Sequence, residues 1–298
     1  MKPKQLVMIS GKGGTGKTIL SACFAHLAEN KIMVDCDVDA ANLHILLDAQ
    51  VKETHLFSGG KEARLIPEKC TGCLECVDIC RFDAIHENRE GKIFIDPLSC
   101  EGCAVCSHIC PLDAIAMDPA ESGEWFVSET KYGPFVHAKL GAGEENSGKL
   151  ITEIRKKSTV LAEQNKSDLV IVDGPPGIGC PVIASLTGAD LALVVTEPTP
   201  SGIHDMKRVI QTAQHFHTDV ACIINKYDLN QKNTSELETW CQKEHISLAG
   251  KIPFDLKIFN SMVQGIPHTE TSSSPASKEI QRIWQSVFKQ LKQEETNG

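Results

Sequence analysis

The sequence has no long hydrophobic run and no excess of basic residues, and both absences limit what the protein can be. Nowhere in the 298 residues do about eighteen apolar side chains follow one another, so no membrane-spanning helix is expected. The N-terminus runs directly into an apolar segment without a small-residue cleavage site, which is unlike a signal peptide. The net charge of −9 argues against a nucleic-acid partner, because phosphate backbones bind basic surfaces. We expect a cytoplasmic protein without stable membrane association.

Cysteine, in contrast, is abundant, and most of the thirteen cysteines follow one pattern. Disulfides are not expected in a reducing compartment. Eight cysteines form two copies of the spacing C-x2-C-x2-C-x3-C, which is typical of bacterial ferredoxins with two 4Fe–4S clusters. In that arrangement the fourth cysteine of each run binds the other cluster. The predicted ligands of the first cluster are Cys70, Cys73, Cys76 and Cys110. Those of the second cluster are Cys80, Cys100, Cys103 and Cys106.

The two cysteine runs belong to a longer internal repeat. Residues 70–85 and 100–115 are identical at nine of sixteen positions, although Arg81 replaces the proline that the second run keeps as Pro111. Between Arg64 and Asp118 there are ten acidic and five basic residues, so this segment carries −5 of the net charge. A zinc ribbon is the competing interpretation of paired C-x2-C, but it leaves the third and fourth cysteines of each run unexplained. The pattern therefore favours a small ferredoxin domain of the α+β class.

Outside this segment, apolar runs of strand length alternate with helical patterns. The predicted strands are residues 6–10, 32–37, 169–174, 191–196, 220–225 and 248–253. The predicted helices are 18–29, 203–215 and a final core helix that carries the apolar stripe from Ile280 to Leu291. Residues 124–130 and 134–140 are predicted to form a hairpin. The alternation indicates an α/β domain with a mostly parallel sheet and helices on both faces. The predicted α/β domain comprises residues 1–62 and 120–298, and the predicted ferredoxin domain is inserted at residues 63–119.

A phosphate-binding loop follows the first predicted strand. The segment Gly11-Lys12-Gly13-Gly14-Thr15-Gly16-Lys17-Thr18 satisfies G-x4-G-K-[ST] and precedes a predicted helix, as the motif requires. The glycines allow backbone N–H groups to surround phosphate oxygens. Lys17 is expected to reach the β- and γ-phosphates of ATP, and the Thr18 hydroxyl to bind Mg²⁺.

The additional lysine in this loop, Lys12, gives it a resemblance to a particular family. The loop resembles the deviant Walker A motif of the MinD, Mrp and ParA ATPases and of the nitrogenase iron protein. The resemblance implies that Lys12 reaches the nucleotide of the opposite subunit in an ATP-bound dimer. It also implies that Asp37 orients or deprotonates the attacking water near Mg²⁺, and that Asp173 is the Walker B aspartate. Asn225 would hold the adenine ring, and Pro253 would belong to the loop that contacts the base.

Cys180 lies seven residues after Asp173 and has three interpretations. In the nitrogenase iron protein a cysteine at that offset binds a cluster shared across the dimer, but the matching segment of this chain, residues 140–149, contains no second cysteine. A redox or transient metal role and a buried structural thiol are the alternatives. The C-x-x-C of Mrp carriers near the C-terminus is also missing.

The resemblance as a whole implies a Mg²⁺-dependent ATPase that carries an inserted two-cluster ferredoxin domain. Its expected partners are a second subunit, identical or paralogous, and a redox or metallocofactor protein. The leading hypothesis is that the nucleotide state controls electron transfer through the two clusters. Two alternatives stay open at this point: a carrier of iron–sulfur or related metal cofactors of the Mrp type, and a redox-sensing positioning ATPase of the MinD type.

Overall fold

The computed structural model describes residues 2–141 and 147–293, which divide into two compact units. The larger unit comprises residues 2–55, 125–139 and 147–293, and the smaller unit comprises residues 56–124 and 140–141. The strands are β1 (Lys4–Ser10), β2 (Lys31–Asp35), β3 (Gln50–Phe57), β4 (Gly60–Leu65), β5 (Ile85–Glu87), β6 (Ile93–Ile95), β7 (Ile115–Ala120), β8 (Gly123–Thr130), β9 (Gly133–Leu140), β10 (Leu169–Pro176), β11 (Leu191–Thr196), β12 (Asp219–Asn225) and β13 (Ser247–Ile252).

Eleven α-helices are present in the described ranges. They are α1 (Lys17–Leu27), α2 (Leu43–Leu46), α3 (Glu75–Ile79), α4 (Val105–Ile109), α5 (Ser147–Asn165), α6 (Cys180–Leu186), α7 (Pro200–His215), α8 (Gln231–Lys243), α9 (Leu256–Val263), α10 (His268–Thr271) and α11 (Pro275–Gln293). Short 3-10 turns occupy Pro67–Lys69 and Tyr227–Leu229. No helix within these described ranges is both long and apolar enough to cross a membrane.

The main sheet has nine strands in the order β13-β12-β11-β1-β10-β2-β9-β8-β3. The pairs from β13 through to β9 are parallel, which confirms the predicted mostly parallel sheet. Along β1, Leu6 and Met8 pack into a core with α1 and α11, while Val7 and Ile9 are buried on the opposite face of the strand. Helices α5, α6 and α7 pack along β2, β10 and β11. Because both faces are covered, the strands are apolar on both faces, as the sequence shows.

The strands confirm part of the sequence prediction and correct part of it. The strand predicted at 32–37 ends at Asp35, so Asp37 lies in the following loop rather than in β2. The predicted hairpin is confirmed as β8 and β9, and β9 joins the main sheet beside β2. Strand β3 was not predicted, because its polar and mostly exposed residues lack a buried face.

The smaller unit repeats one arrangement. Strand β4 pairs antiparallel with β7, and β5 pairs antiparallel with β6. Helices α3 and α4 each lie within one cysteine run. The backbone follows the sequence repeat: Leu74 and Ala104 are both left-handed, with φ of 68° and 63°, immediately before these helices. The buried core consists of Ala63, Cys76, Ile85, Ile93, Cys106 and Ile115. The interpretation of residues 63–119 as a ferredoxin domain stays a prediction.

Candidate nucleotide site and two cysteine-lined cavities

The glycine-rich loop lies between the end of β1 and the start of α1. Gly14 and Gly16 have φ of +80° and +89°, which L-residues with side chains rarely adopt. A Cβ atom on Gly16 would lie 2.5 Å from Asn225 Nδ2, so neither the angle nor the space allows a larger residue. The loop turns its backbone towards the N-terminus of α1, where N–H groups and the helix dipole favour an anion.

A cavity of about 770 Å³ opens at this loop. Its polar end contains the phosphate loop and Asp37, and its apolar wall comes from α9 and the segment before it. The predicted nucleotide residues that line the cavity are Gly13, Gly14, Thr15, Gly16, Lys17, Thr18, Asp37, Asn225 and Pro253. Gly11, Lys12 and Asp173 are not among the lining residues.

Lys17 is buried in a cluster of carboxylates. Its Nζ donates to Asp173 Oδ1 at 2.8 Å and lies 4.0 Å from Asp37 Oδ2. Burial by itself would lower the pKa of Lys17, but the charges of Asp173, Asp35 and Asp37 outweigh that effect and raise it. The Lys17 ammonium is therefore positively charged and can pair with a phosphate group.

Asp173 lies at the carboxyl end of β10 and is fully buried. Its Oδ1 also accepts a hydrogen bond from Ser21 Oγ at 2.8 Å, whereas Oδ2 is buried without a partner among the described residues. A buried carboxylate oxygen without a donor is costly unless a cation or water binds it. Together with the oxygens of Thr18 and Asp37, it offers the hard ligands that Mg²⁺ prefers.

Asp35 lies two residues before Asp37 and contacts the backbone of the loop that follows β2. It is fully buried at the end of β2, and its two oxygens accept the N–H groups of Asp37 (3.0 Å) and Leu43 (3.2 Å). Burial, followed by the charge of Asp173, raises the pKa of Asp35 to about 7. The Asp35 side chain thus caps the loop that carries Asp37 and determines the position of the Asp37 carboxylate. Burial also raises the pKa of Asp37, and Lys17 opposes the shift.

Asn225 and Lys12 are held by protein contacts in this conformation. Asn225 Nδ2 donates to Thr15 O at 2.8 Å, and its Oδ1 accepts the N–H of Lys226 at 3.0 Å. Lys12 Nζ lies 3.2 Å from Thr199 Oγ1 and 3.3 Å from Ser201 Oγ at the start of α7. The predicted contacts of Asn225 with adenine and of Lys12 with a partner subunit stay predictions.

The eight cysteines of the two runs surround two cavities in the smaller unit. One cavity is lined by Cys70, Cys73, Cys76 and Cys110. The other is lined by Cys80, Cys100, Cys103 and Cys106. Each cavity takes three cysteines from one run and the last cysteine of the other run, which is the grouping expected from the sequence. None of the thirteen cysteines, all of which lie in the described ranges, forms a disulfide.

Four cysteine thiols line each of the two cavities. Across residues 2–141 and 147–293, no three or more His, Cys, Asp or Glu side chains are grouped so that they could hold one metal ion. A four-iron cluster is larger than one ion and spreads its cysteine ligands around itself. Four thiols facing a common cavity are the chemistry that such a cluster requires.

The five remaining cysteines divide into two kinds. Cys23, Cys36, Cys222 and Cys241 are buried. Cys180 is exposed at the first residue of α6, so its interpretation as a buried structural thiol is wrong. Gly148, at the start of α5, lies next to Cys180. Of the segment 140–149 that was compared with the nitrogenase iron protein, residues 142–146 lie outside the described residues.

Comparisons with known proteins agree with this geometry. A family model described as the CobQ/CobB/MinD/ParA nucleotide binding domain matches residues 6–268. An uncharacterised protein of Methanocaldococcus jannaschii is 35% identical over 287 residues, which cover 95% of this chain and 96% of that protein. An iron–sulfur cluster carrier protein of Pyrococcus horikoshii is 24% identical over 165 residues, 51% of this chain and 55% of that protein.

A solved structure shows the same fold. The septum site-determining protein MinD complexed with Mg-ADP from Pyrococcus horikoshii matches with a TM-score of 0.59 and 16% identity, over 96% of both chains. The family model spans most of this chain, and the site has the phosphate loop, buried lysine and strand-end aspartate of a P-loop protein. The chain therefore belongs to the CobQ/CobB/MinD/ParA family and has its P-loop nucleotide-binding domain.

Proposed function

We propose that the protein is an ATPase that carries two 4Fe–4S clusters and couples its nucleotide state to electron transfer through them. The observation that carries the proposal is the grouping of the eight cysteines around two cavities, within a chain that also has a P-loop site. Bound clusters would supply one-electron transfer, held by Cys70, Cys73, Cys76 and Cys110 in one site and by Cys80, Cys100, Cys103 and Cys106 in the other.

The nucleotide half of the proposal begins with Lys17. Lys17 Nζ is paired with Asp173, so binding of ATP requires it to exchange that carboxylate for the β- and γ-phosphates. The exchange frees Asp173 to bind Mg²⁺ together with Thr18, and Mg²⁺ would neutralise phosphate charge. In this proposal Asp37, on the loop capped by Asp35, would accept a proton from the attacking water.

Hydrolysis acts as a switch in this proposal. ATP brings together two subunits, identical or paralogous, and Lys12 of each subunit leaves Thr199 and Ser201 to contact the nucleotide of the other. The segment after Asp173 is bonded to the last residue of β1, directly before the phosphate loop, since the N–H of Gly177 donates to Ser10 O at 2.9 Å. This segment leads into α6, so a change at the phosphates reaches the helix on which Cys180 is exposed. The electron acceptor would be a redox or metallocofactor protein.

The two ligand sets can be tested by paired substitutions. Cys76→Ala/Cys110→Ala removes two ligands from the same proposed cluster, so the protein should lose about half of its roughly eight irons. Cys76→Ala/Cys80→Ala removes one ligand from each proposed cluster and should lower both, and Cys222→Ala is the control. Iron and sulfide analysis of anaerobically purified protein gives the result. Equal losses in the two double variants would contradict the proposed sets.

The proposed coupling between the nucleotide state and the clusters is tested by electron paramagnetic resonance of the reduced protein with and without Mg-ATP. We expect ATP to change the spectrum, the reduction potential or the rate of reoxidation of the clusters. In Asp37→Asn, nucleotide binding and this change should persist, while hydrolysis falls at least a hundredfold. If the nucleotide binds but the spectrum, the reduction potential and the rate of reoxidation all stay unchanged, the result would contradict electron transfer under nucleotide control.

A second candidate function is delivery of clusters to other proteins. It is favoured by the similarity to an iron–sulfur cluster carrier protein and by the exposed thiol of Cys180. A carrier would transfer iron and sulfide to an apo-acceptor, and Cys180→Ser would abolish the transfer. Clusters that stay with the protein through repeated reduction and ATP turnover favour the electron-transfer function instead.

A further inference from the structure

The two cysteine-lined cavities occupy equivalent places in the internal repeat but differ in one charged residue. The first cavity is lined by Cys70, Cys73, Cys76 and Cys110, and the second cavity is lined by Cys80, Cys100, Cys103 and Cys106. Arg81 lines the second cavity, directly after Cys80. At the matching position of the repeat, Pro111 lines the first cavity, directly after Cys110. A permanent positive charge at one cavity thus corresponds to an uncharged ring at the other.

The acidic side chains that line the cavities do not cancel this difference. Glu75 lines the first cavity, and the repeat places Val105 at the matching position of the second cavity. Glu101 lines the second cavity, and the repeat places Thr71 at the matching position of the first. Each cavity therefore has one lining carboxylate. Arg81 compensates the carboxylate of the second cavity, whereas the carboxylate of the first cavity has no compensating cation among the lining residues.

Hydrogen bonds to sulfur and solvent exposure also set the reduction potential of a cluster, and both are matched between the cavities. In the first cavity the N–H of Ala114 donates to Cys110 Sγ at 3.3 Å. In the second cavity the N–H of Ala63 donates to Cys100 Sγ at 3.4 Å. At every matching position of the two cysteine runs, the two cysteines are both buried, both half-buried or both exposed. The charge of the lining residues is therefore the property that distinguishes the cavities.

We infer that Arg81 makes the second cavity the site that accepts the first electron. The inference rests on the proposed function, because it requires a 4Fe–4S cluster at each cavity. Reduction adds one negative charge, and a nearby guanidinium stabilises that charge. Arg81 therefore raises the reduction potential at the second cavity above that at the first. Because Arg81 is exposed, water weakens this interaction without removing it.

The difference in potential gives electron transfer within the smaller unit a direction. An electron that enters at the first cavity moves on to the second, so the first site is oxidised as the second is reduced. This internal transfer consumes no further oxidant or reductant. The second cavity is then the place where the electron rests before it passes to an external acceptor.

A redox titration of the anaerobic, iron-loaded protein tests the inference, with dithionite as the reductant and electron paramagnetic resonance as the readout. The wild type should be reduced in two steps, of which the upper belongs to the second cavity. Arg81→Gln should lower the upper step alone, so that the equilibrium constant for electron transfer from the first cavity to the second falls about two- to fivefold. Arg81→Lys retains the charge and should keep both steps. Arg89→Gln is the control, because Arg89 is exposed in the same unit and lines neither cavity.

A further variant tests the same point without changing Arg81. Pro111→Arg places a guanidinium at the matching position of the first cavity, so it should raise the lower step and bring the two steps closer together. Iron and sulfide analysis of every variant shows that both sites are filled, so that a changed potential is not confused with a lost cluster.

The outcomes separate this inference from the function on which it rests. If Arg81→Gln shifts the lower step, shifts both steps equally or shifts neither, the inference is overturned, while the proposed function stands. If Arg81→Lys has the same effect as Arg81→Gln, the shape of the side chain rather than its charge sets the potential, and the inference is again overturned. A wild-type protein that contains no cluster iron after anaerobic purification would instead refute the proposed function itself.

Discussion

Burial decides the chemistry of single residues in the nucleotide site. Asp35, Asp37 and Asp173 have the same carboxylate, yet they differ in exposure and in neighbours. Both carboxylate oxygens of Asp35 accept hydrogen bonds from backbone N–H groups, so Asp35 caps a loop. Oδ2 of Asp173, which lies beside Lys17, has no hydrogen-bond partner in the described part of the chain, so it is suited to a cation. The role of each carboxylate follows from what its oxygens contact rather than from its place in a motif.

His137 illustrates the same effect on pH dependence. It is buried on β9, stacked on Phe126 and Phe135 with centroid distances of 4.9 and 4.7 Å, and its Nε2 is 2.9 Å from Ser128 Oγ. Burial, followed by the nearby His44, lowers the pKa of His137 to about 4. In the unfolded chain the imidazole binds a proton near its ordinary pKa of about 6.5. The folded state therefore loses stability as the pH falls from about 6.5 to about 4.

The size of this loss can be measured. His137 should contribute up to about 3 kcal/mol of the loss in unfolding free energy between pH 7 and pH 4. Urea unfolding of His137→Gln should show a clearly flatter pH profile, while the exposed His215→Gln keeps the wild-type slope. Parallel profiles for the wild type and His137→Gln would show that the imidazole is not held neutral by the fold.

At the scale of elements, the edge of the main sheet depends on a close approach between β13 and α11. A Cβ atom on Gly250 would lie 2.4 Å from Ile283 Cγ1 and 2.9 Å from its Cδ1. Ile283 is only 1% exposed and belongs to the main core, so it has little room to move. The absent side chain at Gly250 is what allows α11 to cover β13.

Gly250→Ala should therefore lower the free energy of unfolding by about 1–3 kcal/mol, because it overpacks the core. In Gly250→Ala/Ile283→Ala the loss should be smaller than the sum of the two single losses, since the smaller side chain removes the clash. Gly148→Ala is the control within the same unit, because its Cβ would meet atoms only at 3.6 Å or more. Chemical denaturation gives all four values, and strict additivity would contradict the contact as described.

At the scale of the whole molecule, the two units differ in what stabilises them. The larger unit has a core built on a nine-stranded sheet. Among its described residues, the core cluster of the smaller unit comprises six buried residues, two of which are the predicted ligands Cys76 and Cys106. So small a core contributes little stability, and domains of this size commonly depend on metals or disulfides.

Removal of iron should therefore open the smaller unit and leave the nucleotide site intact. After oxidation and chelation, limited proteolysis should cut within residues 56–124, while the Kd for ATP stays within about twofold, because every residue lining the nucleotide cavity belongs to the larger unit. Protein kept anaerobic with its iron is the control. An iron-free protein that resists cleavage there would show that the unit is stable without clusters. Loss of ATP binding would show that the two units do not fold independently.

The sequence by itself determined the features that depend on spacing and periodicity. The phosphate loop and the parallel strands were predictable, because each follows from short-range geometry or from periodicity, whereas the two cysteine ligand sets stay a prediction. The tertiary structure decided which oxygens of Asp35 and Asp173 are engaged, that Cys180 is exposed, and that Arg81 lines the second cavity. These depend on burial and on contacts between residues far apart in the chain, which a linear pattern of residue types does not contain.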